Sequence, residues 1–201
     1  VIIGIGHSPN NIAETINQGF DGQISYQDRF GNFDFNTNVV FSYAKNKVKY
    51  KAEAQQKYSW LAETGKPLNQ PFGYKWVGYY TPEDIVKIQS GAKDAPAVPY
   101  TDIPVQAGDL KYADLNNDGT IDDFDKGAIG KPNLPSTTLG WSFGGYWKGF
   151  SFNVLFQGSF DYSFAINGTG IESFKSQFQP IHQKRWTQEK YEKGEGIEFP
   201  R

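Results

Sequence analysis

Polar and apolar residues alternate with period two along two stretches of this chain, and each stretch predicts a β-hairpin. From Gln18 to Gln27, Phe20, Gly22, Ile24 and Tyr26 fall on one face and Asp21, Gln23, Ser25 and Gln27 on the other. After a turn at 28–31, Phe33, Phe35, Thr37, Val39, Phe41 and Tyr43 oppose Asn32, Asp34, Asn36, Asn38 and Ser42. The figure returns at 138–160. There Leu139, Trp141, Phe143, Gly145 and Trp147 alternate up to Lys148-Gly149, and Phe150, Phe152, Val154, Phe156, Gly158 and Phe160 alternate on the way back. Residues 1–17, before the first hairpin, open apolar at Val1–Ile5 and turn polar through His7–Asn11, which reads as the end of a loop. The predicted fold class is all-β, with antiparallel hairpins at 18–44 and 137–160.

The chemistry of the two faces separates two possible solvents. A soluble sandwich turns its polar face to water, where Lys and Glu are common. Here the polar faces carry Asn, Gln and Ser, with Asp21 and Asp34 as their acids. A transmembrane barrel strand needs roughly 9–11 residues, apolar towards lipid and polar towards the lumen. Tyr26, Phe33, Tyr43, Trp147 and Phe160 stand near strand ends, where aromatic belts gather. The pattern therefore predicts antiparallel strands of a transmembrane β-barrel. Phe33, Phe35, Val39, Phe41, Phe152, Val154 and Phe156 are expected to face lipid, and Asp21, Gln23, Asn36, Asn38, Asn153 and Gln157 to line a hydrophilic lumen. A soluble β-rich module would have to cover the same aromatic faces with its own chain, and little apolar mass is left to do it.

Between the two hairpins lies a long insertion, 45–136, and a second segment follows at 161–201. Outer-membrane barrels alternate short turns with long extracellular loops, so both are expected on the extracellular side. The lysines at the start of the insertion (Lys45, Lys47, Lys49, Lys51, Lys57) predict a solvated segment. Thr81-Pro82-Glu83-Asp84 reads as a helix start, with Thr81 as N-cap, Pro82 at N1 and Asp84 at N3, and the helix should stop near Gly91. Tyr74, Trp76 and Tyr79 are read as a small core of the insertion. Tyr58 and Trp60, flanked by polar residues, are the better candidates for contact with a substrate or partner.

The insertion also holds Asp114–Asp125, DLNNDGTIDDFD. Oxygen-bearing side chains occupy positions 1, 3, 5, 9 and 12 of an EF-hand-like loop: Asp114, Asn116, Asp118, Asp122 and Asp125. Gly119 stands at position 6, where the chain must turn sharply, and Thr120 at position 7 offers its backbone carbonyl. Hard oxygen donors in this spacing predict Ca²⁺, although position 12 is Asp where the motif has Glu. The competing reading is an Asx-rich turn that binds nothing.

Composition narrows the function further. Aromatic residues reach 16% of the 201 residues while apolar residues total only 38%. The net charge of −2 offers no field for nucleic acid. With no cysteine there is no disulfide and no thiolate chemistry. No apolar run approaches the ~18 residues of a transmembrane helix. The chain has no Met, so Val1 is not read as a translation start, and the expectation is a piece of a longer protein. His7 and His182 stand far apart and no nucleophile motif is present, so no enzymatic activity is expected. Asn167-Gly168-Thr169 fits a glycosylation sequon but is read as a loop turn.

An ordered set of motifs gives a family resemblance. Ala107-Gly108-Asp109-Leu110-Lys111-Tyr112-Ala113 runs into DLNNDGTIDDFD, then Lys126–Pro132, then Tyr146-Trp147-Lys148-Gly149-Phe150 and Phe156-Gln157-Gly158. With Asn17-Gln18-Gly19-Phe20, Phe72-Gly73-Tyr74-Lys75, Arg185-Trp186-Thr187 and Phe199-Pro200-Arg201, these resemble the C-terminal part of the SusC/RagA family of TonB-linked outer-membrane transporters of the Bacteroidetes. The resemblance implies a barrel of about 22 strands filled by a plug. It implies a SusD-like surface lipoprotein as partner, oligosaccharides or peptides as substrates, and the TonB complex as energy source, acting through segments absent from this chain. The alternative left open is a free-standing, calcium-dependent, β-rich carbohydrate-binding module.

Overall fold

The computed structural model describes residues 11–166 and 179–201; His7 and the 167–169 sequon lie outside them. The described residues form strands β1 (Ala13–Phe30), β2 (Phe33–Lys51), β3 (Phe72–Tyr74) and β4 (Trp76–Tyr79), helix α1 (Pro82–Ser90), and strands β5 (Val98–Pro99), β6 (Leu110–Tyr112), β7 (Thr120–Ile121), β8 (Lys126–Ala128), β9 (Thr137–Trp147) and β10 (Phe150–Phe160). A short helix α2 (Gln188–Lys193) follows. The chain is mostly antiparallel β-structure and divides into two compact units. One comprises the chain up to Gln56 with Ala62–Pro71 and Gly130–Ser163, and the other Lys57–Leu61, Phe72–Ile129 and the chain from Phe164.

The first unit is a four-stranded antiparallel sheet in the order β1-β2-β9-β10. Both hairpins form. The first turn is Gly31-Asn32, later than the 28–31 expected, with Phe30 paired to Phe33 and Gly31 at φ 63°. The second is Lys148-Gly149, with φ of 46° and 93°, the positive pair that a two-residue hairpin turn of primed type requires. The outer ends differ from expectation. β1 starts at Ala13, inside the 1–17 segment read as loop, and β2 runs to Lys51, inside the 45–136 insertion. Lys45–Lys51 is extended strand paired with Ala13–Gln18, with Lys45, Lys47 and Lys49 exposed to solvent, because Lys-Asn-Lys-Val-Lys-Tyr-Lys itself alternates. Beyond β9, the segment 65–66 takes the place beside β2: Val48 N donates to the Lys66 carbonyl at 2.9 Å and Gly65 N to the Val48 carbonyl at 2.8 Å.

The second unit is held by three two-stranded ladders, β3-β8, β4-β6 and the parallel β5-β7. Helix α1 begins and ends as its sequence predicts. Thr81 and Asp84 form a reciprocal capping box at 3.1 Å each way, and Gly91 closes the helix in the left-handed conformation. The buried centre differs from the expected Tyr74, Trp76 and Tyr79. Tyr80 is 0% exposed while Trp76 is 55% exposed. Ile121, Trp186 and Asp125 are the other buried side chains described in this unit. Trp186 lies against Gly108, where an added Cβ would stand 2.5 Å from the indole, and Arg201 holds Asp109 at 2.7 Å and Gln106 at 2.7 Å. The separated motifs at 107–109, 185–187 and 199–201 are thus one packed cluster.

Candidate functional site

Strand register decides which side chains share a face, since directly paired residues project to the same side. Phe20, Ile24 and Tyr26 pair with Tyr43, Val39 and Thr37. Phe33, Val39 and Phe41 pair with Trp147, Trp141 and Leu139. Gly145, Phe143 and Trp141 pair with Phe152, Val154 and Phe156. All four apolar rows therefore fall on one face, and it includes each of the seven residues expected to meet lipid. Asp21, Gln23, Asn36, Asn38, Asn153 and Gln157 fall together on the other face, joined by Ser25, Ser42, Ser142 and Ser159 and interrupted by Val40, Tyr146 and Leu155.

The apolar face is continuous and open. Phe20, Ile24 and Phe156 are 63%, 66% and 55% exposed, and Val48 alone is buried among the described apolar residues of this unit. Its rings contact one another across strands, as in the Phe33–Phe152 stack at 6.4 Å and the Trp141–Phe156 stack at 5.8 Å. Gly22 and Gly145 make room for this layer: a Cβ there would stand 2.7 Å from the Phe41 ring and 2.5 Å from the Phe33 ring. The Trp141 and Thr37 donors midway along the face are consumed locally. Trp141 Nε1 donates to Thr37 Oγ1 at 2.9 Å, and that hydroxyl donates to the Ser142 carbonyl at 3.0 Å. The side chains of the other face bond one another, Ser25 donating to Asn38 Oδ1 at 2.8 Å. Charge concentrates at the two ends of the sheet. Arg29 pairs with Asp34 at 3.3 Å beside the short turn, and Lys49 with Glu14 at 2.8 Å at the far end.

In the second unit the predicted metal loop is folded around backbone amides. Asp114 accepts from the amides of Asn117 at 2.6 Å and Gly119 at 2.8 Å, Asn116 from Asp118 at 3.1 Å, and Asp118 from Thr120 at 2.9 Å. Gly119 adopts φ 85°, the sharp turn its position demands, and Asn117 a φ of 58°. On β7 the carbonyls of Gly119 and Ile121 accept from Val98 and Tyr100, so alternation aims the Thr120 carbonyl the opposite way, on the side of its amide's bond to Asp118. Asp122 and Asp125 form a second capping box. Asp125 is 0% exposed and accepts from the amides of Leu115 at 2.7 Å and Asp122 at 2.9 Å. The donors are all oxygens and fit a hard cation in kind, since a carboxylate oxygen that accepts one N–H retains a lone pair. Among the described residues no three acidic or histidine side chains are brought together as a metal-holding group.

Tyr58 and Trp60 stack on each other, 4.5 Å between centroids and 7° between planes, and Tyr58 meets the edge of Phe124. Trp60 Nε1 donates to the Phe124 carbonyl at 2.8 Å, and the Lys57 ammonium stands 4.4 Å from the Phe124 ring. The same ammonium stands 5.1 Å from the Tyr58 ring, so Tyr58 is engaged by Trp60, Phe124 and Lys57 together. Nearby elements carry perturbed groups of structural character. Burial, with the charges of Asp84 and Asp109, pushes the Tyr80 hydroxyl up to about 12. At Asp84 burial opposes ionisation, but the Lys111 ammonium at 2.8 Å and the Thr81 amide outweigh it and hold the carboxyl below the usual range.

No family model and no curated protein matches the sequence. Among solved structures the chain is similar to the RagAB peptide importer in its 'closed-closed' state, with 19% identity and a TM-score of 0.48. The similarity covers 78% of this chain and 16% of that chain.

Proposed function

We propose that the sheet β1-β2-β9-β10 is part of a larger transmembrane β-barrel, belonging to an outer-membrane, TonB-dependent transporter of the SusC/RagA kind. Such a protein imports oligosaccharides or peptides together with a SusD-like surface lipoprotein, and this chain contributes wall and loop rather than catalysis. One observation carries the reading: the apolar rows of four strands align on one exposed face while the opposite face is polar and almost uncharged. The dimensions support it. From Phe33 to Tyr43 the apolar row runs about 33 Å at ~3.3 Å per residue, or about 25 Å when tilted by roughly 40°, the height of a barrel's lipid-facing band. So do the pairing of Trp141 with Thr37, which leaves hydrocarbon no unsatisfied donor there, and the edges of β1 and β10, which carry no neighbouring strand among the described residues. No helix among the described residues is long and apolar enough to cross a membrane, so a crossing would be made by these strands.

Within the same reading, Asp114–Asp125 is a calcium loop that stiffens an extracellular excursion. Asp114, Asn116, Asp118, Asp122, Asp125 and the Thr120 carbonyl would supply oxygens, and Asp125 also braces the loop through the amides of Leu115 and Asp122. The stacked pair Tyr58 and Trp60 is the candidate contact for a sugar or for the lipoprotein. The test is extraction: the protein is expected to leave membranes only with detergent and to stay monodisperse only in its presence. A monodisperse particle in plain buffer, with the Phe33–Phe41 row protected from labelling, would return the sheet to the soluble-module class.

A further inference from the structure

We infer that the outward face of the sheet carries a seat for the phosphate of a membrane-lipid headgroup, just beyond the apolar band; the inference rests on the barrel reading. The register that aligns the aromatic rows continues past them, so Gln18 pairs with Lys45 and Ile16 with Lys47 on the same face as Phe20 and Tyr43. A groove of about 520 Å³ opens there, between Ile16 and Gln18 of β1, Tyr43, Lys45 and Lys47 of β2, and Pro67. Its upper wall is built, not incidental. The turn at 63–67 is hydrogen-bonded to Val48, and the Glu53 carboxylate accepts from the amides of Glu63 and Thr64 at 3.0 Å each.

The charge in this groove is one-sided. The acids around it are engaged with other lysines: Glu14 with Lys49, Glu63 with Lys51 and Asp161 with Lys131. Lys45 and Lys47 make no ion pair among the described residues, and Lys45 exerts only a longer-range attraction on Asp161. Two cations and the Gln18 amide thus meet at the edge of an aromatic surface. A ligand that continues downward as hydrocarbon and ends upward in a phosphate matches both halves, whereas a free phosphate uses neither Ile16 nor the Phe20–Tyr43 contact below, 5.5 Å between rings.

The experiment measures lipid retained by the detergent-purified protein, by native mass spectrometry, with diphosphorylated lipid A and its dephosphorylated form as probes. Phosphorylated lipid should be retained roughly 30-fold better, about what two lysines near a membrane surface supply. The preference should vanish in Lys45→Gln/Lys47→Gln and survive in Lys45→Arg/Lys47→Arg and in Lys49→Gln. Excess inorganic phosphate should not displace the lipid. Equal retention of both probes, a preference that persists in the double Gln variant, or displacement by inorganic phosphate overturns the headgroup seat. A protein that needs no detergent at all overturns the barrel reading instead, so the two failures are distinguishable.

Discussion

Asp125 carries a carboxylate with no exposed surface, and it gives one oxygen to each of two amides at opposite ends of its loop, Leu115 and Asp122. Replacing it with Ala leaves two partly buried donors unpaired, at about 1 kcal/mol apiece, the low end for a lost partner. Asp125→Ala should therefore open 109–130 to protease while both hairpins persist. Calcium at about millimolar concentration is expected to slow nicking of the same segment in the unaltered protein, chelator to hasten it, and Asp118→Ala to erase the difference. Nicking indifferent to calcium would leave a loop stabilised by Asx turns alone. The oxygen spacing of this loop was legible in the sequence, but the inward turn of Asp125 was not. Asp is one methylene shorter than the Glu that the motif carries at this position. At three residues from Asp122 it has the reach of a capping box.

On the scale of elements, β2 tests its own two faces at adjacent positions. Val39 lies in the apolar row beside Ile24 and Trp141, and Val40 lies in the polar row beside Gln23 and Gly140. Val39→Arg should cost roughly 2–4 kcal/mol of stability in lipid and Val40→Arg much less, a contrast read from denaturant titration of protein folded into vesicles. Equal penalties would mean that neither face meets hydrocarbon. Helix α1 makes a pH prediction. Asp84 is depressed below its ordinary 3.8, so its contribution is complete above that value and is lost as pH falls through the lower folded-state value. Hydrogen exchange in α1 should show that loss below 3.8, and Asp84→Asn should remove the step. The hairpins and α1 were readable because each declares itself locally, through alternation or through caps. The upper third of β2 is hidden because the charge signal of its lysines masks the period of two that Lys45–Lys51 also carries. The burial of Tyr80 in place of Trp76 was hidden for another reason. It depends on Ala97, whose carbonyl accepts the Tyr80 hydroxyl from a segment that no local pattern connects to it.

At the scale of the molecule, each unit is assembled from chain segments interrupted by those of the other. Sequence alone could order the motifs along the chain but could not say that Gly108, Trp186 and Arg201 meet. That proximity is written in no period or spacing, only in the fit of an indole on a glycine at φ 92°. The Arg201–Asp109 pair spans 92 positions. Closing a flexible loop of that length costs about 4 kcal/mol by the logarithmic rule, and nothing returns that cost until Trp186 is seated. The consequence is temporal. While the chain folds, the Gly108 shelf stands bare until its distant cover arrives. The seating of Trp186 on Gly108 is therefore expected to be the slow event in ordering the second unit, and refolding followed with and without Trp186→Phe would time it.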